Sequence, residues 1–176
     1  AMTGMFSKAY KFNGNISTWQ VSSVTNMKYT FYDAVSFCSD ISKWDVSRVT
    51  DMSQFFWRAD SFHGAIFKWD VSNVKRLSDM FADAASFNGD ISSWEVRSVQ
   101  MMHGLFKGAI LFNSDIGKWD VSKVTNMYDM FWGAESFNSD ISKWDVSSVT
   151  SMTAMFNRAT SFNSDLSKWD VSKVNT

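Results

Sequence analysis

Phe137-Asn138-Ser139-Asp140-Ile141-Ser142-Lys143-Trp144-Asp145-Val146-Ser147-Ser148-Val149 decides the reading of this chain, because close copies of it recur along the whole length. Its tryptophan marks the interval: Trp19, Trp44, Trp69, Trp94, Trp119, Trp144 and Trp169 lie 25 residues apart without exception. An unbroken period of this size signals stacked structural units, none of which buries its apolar face alone. Seven units, 1–25, 26–50, 51–75, 76–100, 101–125, 126–150 and 151–175, account for 175 of the 176 residues and make one repeat domain. The chain opens on Ala1-Met2 inside the pattern, which leads us to expect a segment of a longer protein with Ala1 a cloning remnant.

Numbering positions 1 to 25 within each unit from Ala1, the apolar columns read as packing instructions. Position 2 is Met2, Met27, Met52, Leu77, Met102, Met127 and Met152; position 6 is Phe from Phe6 to Phe156; position 9 is Ala from Ala9 to Ala159. With position 5 these fall at i, i+3, i+4 and i+7, the spacing of one face of a short helix. Thr25, Thr50, Thr125 and Thr150 precede it and suit an N-cap. Phe12 to Phe162 fill position 12, and an Asn-x-Asp turn follows in most units, since both side chains bond readily to nearby backbone. Next come Ile16 to Leu166, the tryptophans, and Val21 to Val171; Trp-x-Val has period two and predicts a short parallel strand. The expected fold is therefore α/β: a leucine-rich-repeat-like right-handed solenoid of seven coils, each with a short parallel strand and a short helix.

Composition narrows the function. A net charge of −1 and a pI near 6.1 supply no basic field for a phosphate backbone, so nucleic acid is not an expected partner. No apolar run approaches the roughly 18 residues of a membrane span, so direct membrane insertion is not expected either. Cys38 is the single cysteine and reads as a tolerated substitution in an Asn column. His63 and His103 read as surface substitutions. The Asn-x-Asp turns lack the converging carboxylates of a calcium loop, and no Ser, His and Asp set stands out, so the chain is expected to be non-enzymatic, without metal or cofactor.

The run from Phe137 to Met152, with Met155-Phe156 and Ala159, resembles the repeat of the BspA-like leucine-rich-repeat surface proteins of bacteria. Val149 stands where the ladder asparagine of an ordinary leucine-rich repeat would be, and the Asn138 column takes over that role. The resemblance implies a cell-surface or secreted adhesion module that recognises a protein or glycan; the alternative is a structural spacer displaying another domain.

Two outward surfaces are candidates for recognition. One is the strand face, with Lys43, Asp45, Arg48, Lys68, Asp70, Asn73, Glu95, Arg97, Lys118, Asp120 and Lys123, where charge ladders are interrupted near the middle. Its competing explanation is plain charge balance. The other is an aromatic patch of Tyr29, Tyr32 and Trp57 on the predicted helix side, with Trp132 further along; the competing explanation is packing over coil edges. Phe67, Ile110 and Leu111 also replace polar residues and mark a possible self-association surface.

Each stacked indole buries about 150–250 Å², worth about 4–6 kcal/mol before ordering entropy. Trp94→Ala, in mid-stack, is expected to lower the thermal unfolding midpoint far more than Trp57→Ala outside the column. Equal losses in the two variants reject the inward register.

Overall fold

The computed structural model describes residues 1–175, and among them there is no helix and no strand longer than a single bridge residue. Each 25-residue unit is a coil of consecutive turns stacked on the next. The predicted helix and strand are both absent, which overturns the α/β, leucine-rich-repeat-like fold expected from the sequence.

The physical reason lies in where the amides of positions 2 to 9 go. Those of positions 5, 7 and 9 close turns on carbonyls three residues back, as in Met80 to Leu77 at 3.1 Å, Ala82 to Asp79 at 3.1 Å and Ala84 to Phe81 at 3.1 Å. Those of positions 2, 4, 6 and 8 donate sideways to the following coil: Leu77 to Met101, Asp79 to His103, Phe81 to Leu105 and Asp83 to Lys107, at 3.0, 2.8, 3.0 and 2.6 Å. The same four bonds cross every coil interface. An α-helix would need the position 6 amide for the carbonyl of position 2, and it is already committed. Positions 4 and 8 are also left-handed throughout, from Gly4 and Lys8 (φ 64° and 59°) to Ala154 and Arg158 (φ 55° and 60°), and this breaks any right-handed helix. Spacing i, i+3, i+4, i+7 thus describes a run of turns whose inward corners recur at the same intervals.

The strand fails for a related reason. Around Trp94 the backbone closes two separate turns, Trp94 to Ile91 at 3.1 Å and Val99 to Val96 at 2.8 Å, instead of pairing with neighbouring coils. Asp45, Asp70 and Asp120 accept the amide of the serine two residues on, bending the chain directly after the tryptophan. Parallel bridging survives only at position 1, linking Asn26, Asp51, Arg76, Met101, Asn126 and Ser151. Asn26, Asp51 and Asn126 there accept the amide two residues later, so the acceptor role expected of threonine falls to this column. Thr50, Thr125 and Thr150 instead donate their hydroxyls to carbonyls of the preceding coil.

The inward columns do form one continuous core. Phe31, Phe56, Phe81, Phe106 and Phe131 are wholly buried and stack on the position 12 ring of their own coil, Phe106 on Phe112 at 3.7 Å. Ring spacing from coil to coil is 5.8 Å for Phe81 and Phe106 and 6.5 Å for Trp94 and Trp119, the two ring planes nearly parallel in each case. The buried Thr30, which replaces an apolar residue at position 5, is satisfied by the Met27 and Met2 carbonyls at 2.7 and 3.1 Å. At the two ends of the stack the columns are less covered: Trp19 is 41 % and Val171 51 % exposed.

The tryptophan column has a polar task as well. Trp44, Trp69, Trp94, Trp119, Trp144 and Trp169 each donate the indole N–H to the position 16 carbonyl of the preceding coil, Trp94 to Ile66 at 3.1 Å. The indole therefore fills the core and stitches adjacent coils. Trp94→Phe keeps an aromatic ring but removes one of the two bonds on the Ile66 carbonyl, which retains the Trp69 amide at 3.1 Å, at an expected cost of about 0.5–1.5 kcal/mol in chemical denaturation. A cost no larger than that of an exposed substitution would show the bond contributes nothing.

Candidate functional site

The outward side chains divide between two faces, and the structure treats the two sequence-predicted surfaces differently. On the turn face, positions 3, 4, 7 and 8, the aromatic residues come together. Tyr29 meets Tyr32 edge-on at 5.7 Å, and Tyr32 stacks on Trp57 at 4.4 Å. Lys28 and Arg58 lie over the outer rings, 4.7 Å from Tyr29 and 5.6 Å from Trp57. Trp132 stands apart, between Lys107 at 5.1 Å and Arg158 at 5.2 Å.

Interleaved with these rings is a charged row that sequence reasoning missed. Arg58 pairs with the buried Asp33 at 3.4 Å, outside hydrogen-bond geometry. Asp79 receives Gln54 Nε2 at 3.2 Å and faces His103 Nε2 at 3.7 Å, while Lys107 donates to the buried Asp129 at 2.6 Å. That last bond raises the Lys107 pKa, Asp129 stabilising the ammonium form. Asp83 and Asp60 are raised for a different reason: burial penalises both carboxylates, against the pull of Lys107 and Arg58 on Asp83 and of Arg58 on Asp60. Left-handed backbone at positions 4 and 8 makes this row possible, and a Cβ at Gly104 or Gly108 would run into the Asp79 or Asp83 carboxylate. The legible signal was that carboxylates recur at positions 4 and 8 in alternate coils, Asp33, Asp79, Asp83 and Asp129 in coils 2, 4 and 6.

Another missed pairing crosses coils 2 and 3. Cys38 and His63 both occupy position 13, and Cys38 Sγ lies 3.3 Å from His63 Nδ1 and 3.6 Å from Nε2. Near-equal distances place the sulfur over the ring rather than in line with either nitrogen. His63 Nδ1 also sits 2.9 Å from the Ser61 carbonyl. These two residues interrupt an asparagine ladder in which Asn88, Asn113 and Asn138 each accept the position 13 amide of the next coil at 2.8–2.9 Å. The equal repeat position, 25 residues apart, was the available clue.

The second predicted surface covers positions 17 to 23. Asp45, Asp70 and Asp120 are committed to their own bends, with Ser47 Oγ on Asp45 and Ser122 Oγ on Asp120, both at 2.6 Å. The serine hydroxyl and amide hold the Asp45 and Asp120 carboxyls below their usual range. Lys43, Lys68, Lys118, Arg48 and Lys123 are exposed, and Asn73 donates to the Ser47 carbonyl at 2.8 Å. Coil 4 departs from all of this. Glu95 and Arg97 replace the Asp and Ser of the bend and pair with each other at 3.3 Å on the surface. Ser93 replaces the column lysine and donates to the Phe67 carbonyl at 2.9 Å. The missing lysine leaves a depression between coils 4 and 5. One lobe, about 610 Å³, is lined by Asn88, Asp90, Ser93, Asn113, Asp115 and Lys118; a second, about 320 Å³, by Ser93, Glu95, Arg97, Lys118 and Asp120. Arg48 and Asn73 lie in earlier coils and Lys123 at position 23, so none of these lines it.

Among the described residues no group of three or more His, Cys, Asp or Glu is arranged to hold a metal ion, and no helix is long and apolar enough to cross a membrane. A family model described as "Mycoplasma protein of unknown function, DUF285" matches residues 1–94, 36–132 and 76–176. Those overlapping matches span the chain, which belongs to this family of repeat-containing proteins. No curated protein and no solved structure matches it.

The raised Asp83 pKa carries a sign. Its charged form is penalised by folding, so the penalty is absent below the unfolded value of about 3.9 and complete above the raised folded value. Asp83→Asn is therefore expected to raise the unfolding midpoint at pH 7 and to lose that advantage near pH 3. An unchanged difference between wild type and variant across this range would place the effect elsewhere.

Proposed function

We propose that this member of the family is a non-enzymatic binding module that recognises a protein or glycan partner through its outward surface, as part of a cell-surface or secreted protein. The observation that carries the reading is the contrast between the two sides of the chain. Inward columns repeat with little change from coil to coil, whereas outward departures gather in coils 3 to 5: Phe67, Ser93, Glu95, Arg97, Ile110 and Leu111. Phe67, Ile110 and Leu111 are 44 %, 43 % and 53 % exposed, large apolar groups with no role in the core. A spacer has no use for departures that gather in adjacent coils; a recognition surface on a rigid frame does. The sequence likeness to BspA-like surface proteins supports a surface location and an adhesive role.

A glycan and matrix-protein array probed with wild type, Arg97→Ala and Trp57→Ala tests this. Binding by wild type that is lost in one variant selects the coil 4 surface or the aromatic patch, respectively. Silence of the whole array returns the chain to the role of a structural spacer.

A further inference from the structure

We infer that the depression over Ser93, between coils 4 and 5, is a binding site for an uncharged saccharide ring. The inference rests on the binding-module reading and gives it a place and a ligand chemistry.

The site exists because one residue is small. Position 18 carries Lys43, Lys68, Lys118, Lys143 and Lys168 in five coils, and Ser93 opens the row at the middle of the stack. The polar groups around the opening are held in place before any ligand arrives. Asp90 fixes one carboxylate oxygen on the Ser92 amide and hydroxyl, at 3.0 and 2.7 Å, and Asp115 fixes one on the Gly117 amide at 3.0 Å. Asn88 and Asn113 spend their side-chain oxygens on the amides of Asn113 and Asn138, both at 2.8 Å. Each of these exposed residues thus uses one half of its side chain to set its direction and keeps the other half, a carboxylate oxygen or an NH2 group, for exchange with solvent or ligand. In each coil an Asn donor and an Asp acceptor stand two residues apart, and the pair recurs in the next coil, which suits vicinal hydroxyls, each both donor and acceptor. Little side-chain entropy remains to be lost on binding.

An exposed aromatic ring, with Lys68 Nζ 5.5 Å from its centroid, stands one coil before the opening. Phe67 occupies position 17, directly before Ser92 in its column, where Ser17, Ser42, Ser142 and Ser167 stand in other coils. Its ring is 44 % exposed, and its carbonyl is tied to Ser93. A pyranose has one face of C–H groups and a rim of hydroxyls; Phe67 lies outside the lining of both lobes, so an oligosaccharide that sets one ring among the fixed polar groups meets the Phe67 ring with the next, one coil back. Charge narrows the class: Asp90, Glu95, Asp115 and Asp120 outnumber Arg97 and Lys118, and this field opposes carboxylated or sulfated sugars.

The repeat itself supplies substitutions that the fold accommodates. Ser93→Lys and Phe67→Ser each restore the residue of neighbouring coils, and both are expected to keep the wild-type unfolding midpoint. Titration with chitotriose, maltotriose, lactose and sialyllactose, read by isothermal calorimetry and by saturation-transfer NMR, makes the test. Wild type is expected to bind at least one neutral oligosaccharide in preference to sialyllactose. Ser93→Lys is expected to abolish that binding, Phe67→Ser to weaken it about tenfold, and Lys11→Ala, exposed in the first coil, to leave it unchanged. Binding that survives Ser93→Lys, or that prefers sialyllactose, overturns the site. Absence of all saccharide binding alongside capture of a matrix protein on the array overturns the ligand class and leaves the binding-module reading standing. Silence in both assays removes both.

Discussion

Buried backbone must be hydrogen-bonded, and the described residues of this chain meet that requirement with neither helix nor extended sheet. Its peptide planes alternate. One closes a turn inside the coil, and the next points along the stack to the following coil, as Phe81 does to Leu105. Left-handed residues at positions 4 and 8 produce the alternation, and because glycine fills only some of those sites the chain absorbs the cost at Tyr29, Gln54, Arg58 and others. The cost is tolerated because each coil is a template for its neighbour. Those sideways bonds and the position 25 amide, which bonds the position 25 carbonyl of the preceding coil at every interface, leave no freedom in register, so a coil placed on another has one way to sit.

Packing and polar satisfaction then reinforce the same register. Phe81 and Phe87 stack within their coil, Phe81 and Phe106 stack across the interface, and the Trp94 indole both adds area and ties itself to Ile66. The asparagine ladder at position 13 does similar work between the same coils. Against so uniform a frame, an altered outward residue changes the surface without disturbing the core. That separation lets coil 4 replace a bend-forming Asp and Ser with the Glu95 and Arg97 pair, and a lysine with Ser93, while Trp94 and Val96 remain buried between them.

Much of this was legible in advance, though unevenly. Every inward column named from the period is inward in the interior coils, because burial follows residue type and recurrence, and neither depends on the conformation that produces them. Secondary structure was misread at both places where a short apolar spacing was translated into a regular element. Positions 2, 5, 6 and 9 satisfy a helical face and a run of turns alike, and nothing in the side chains states whether the position 6 amide bonds backwards or sideways. The outward residues were named, but their neighbours were not. Tyr32 and Trp57 could be placed in adjacent coils by counting, as could Cys38 and His63, yet only the coordinates bring one pair to 4.4 Å and the other to 3.3 Å.

By itself, then, the sequence determined the repeat length, the number of coils and which side chains enter the core, since an unbroken 25-residue period in Phe, Ala, Trp and Val admits one stacking phase. It also placed the departures from the pattern in the middle of the array. The tertiary structure alone decided that the coils are built of turns, that Asp33, Asp79, Asp83 and Asp129 form a half-buried charged row, and that Ser93 leaves an opening one coil beyond Phe67. Hydrogen-bond direction and the reach of a side chain into the next coil are properties of neighbours 25 residues away, and they take a value only once the coils are stacked.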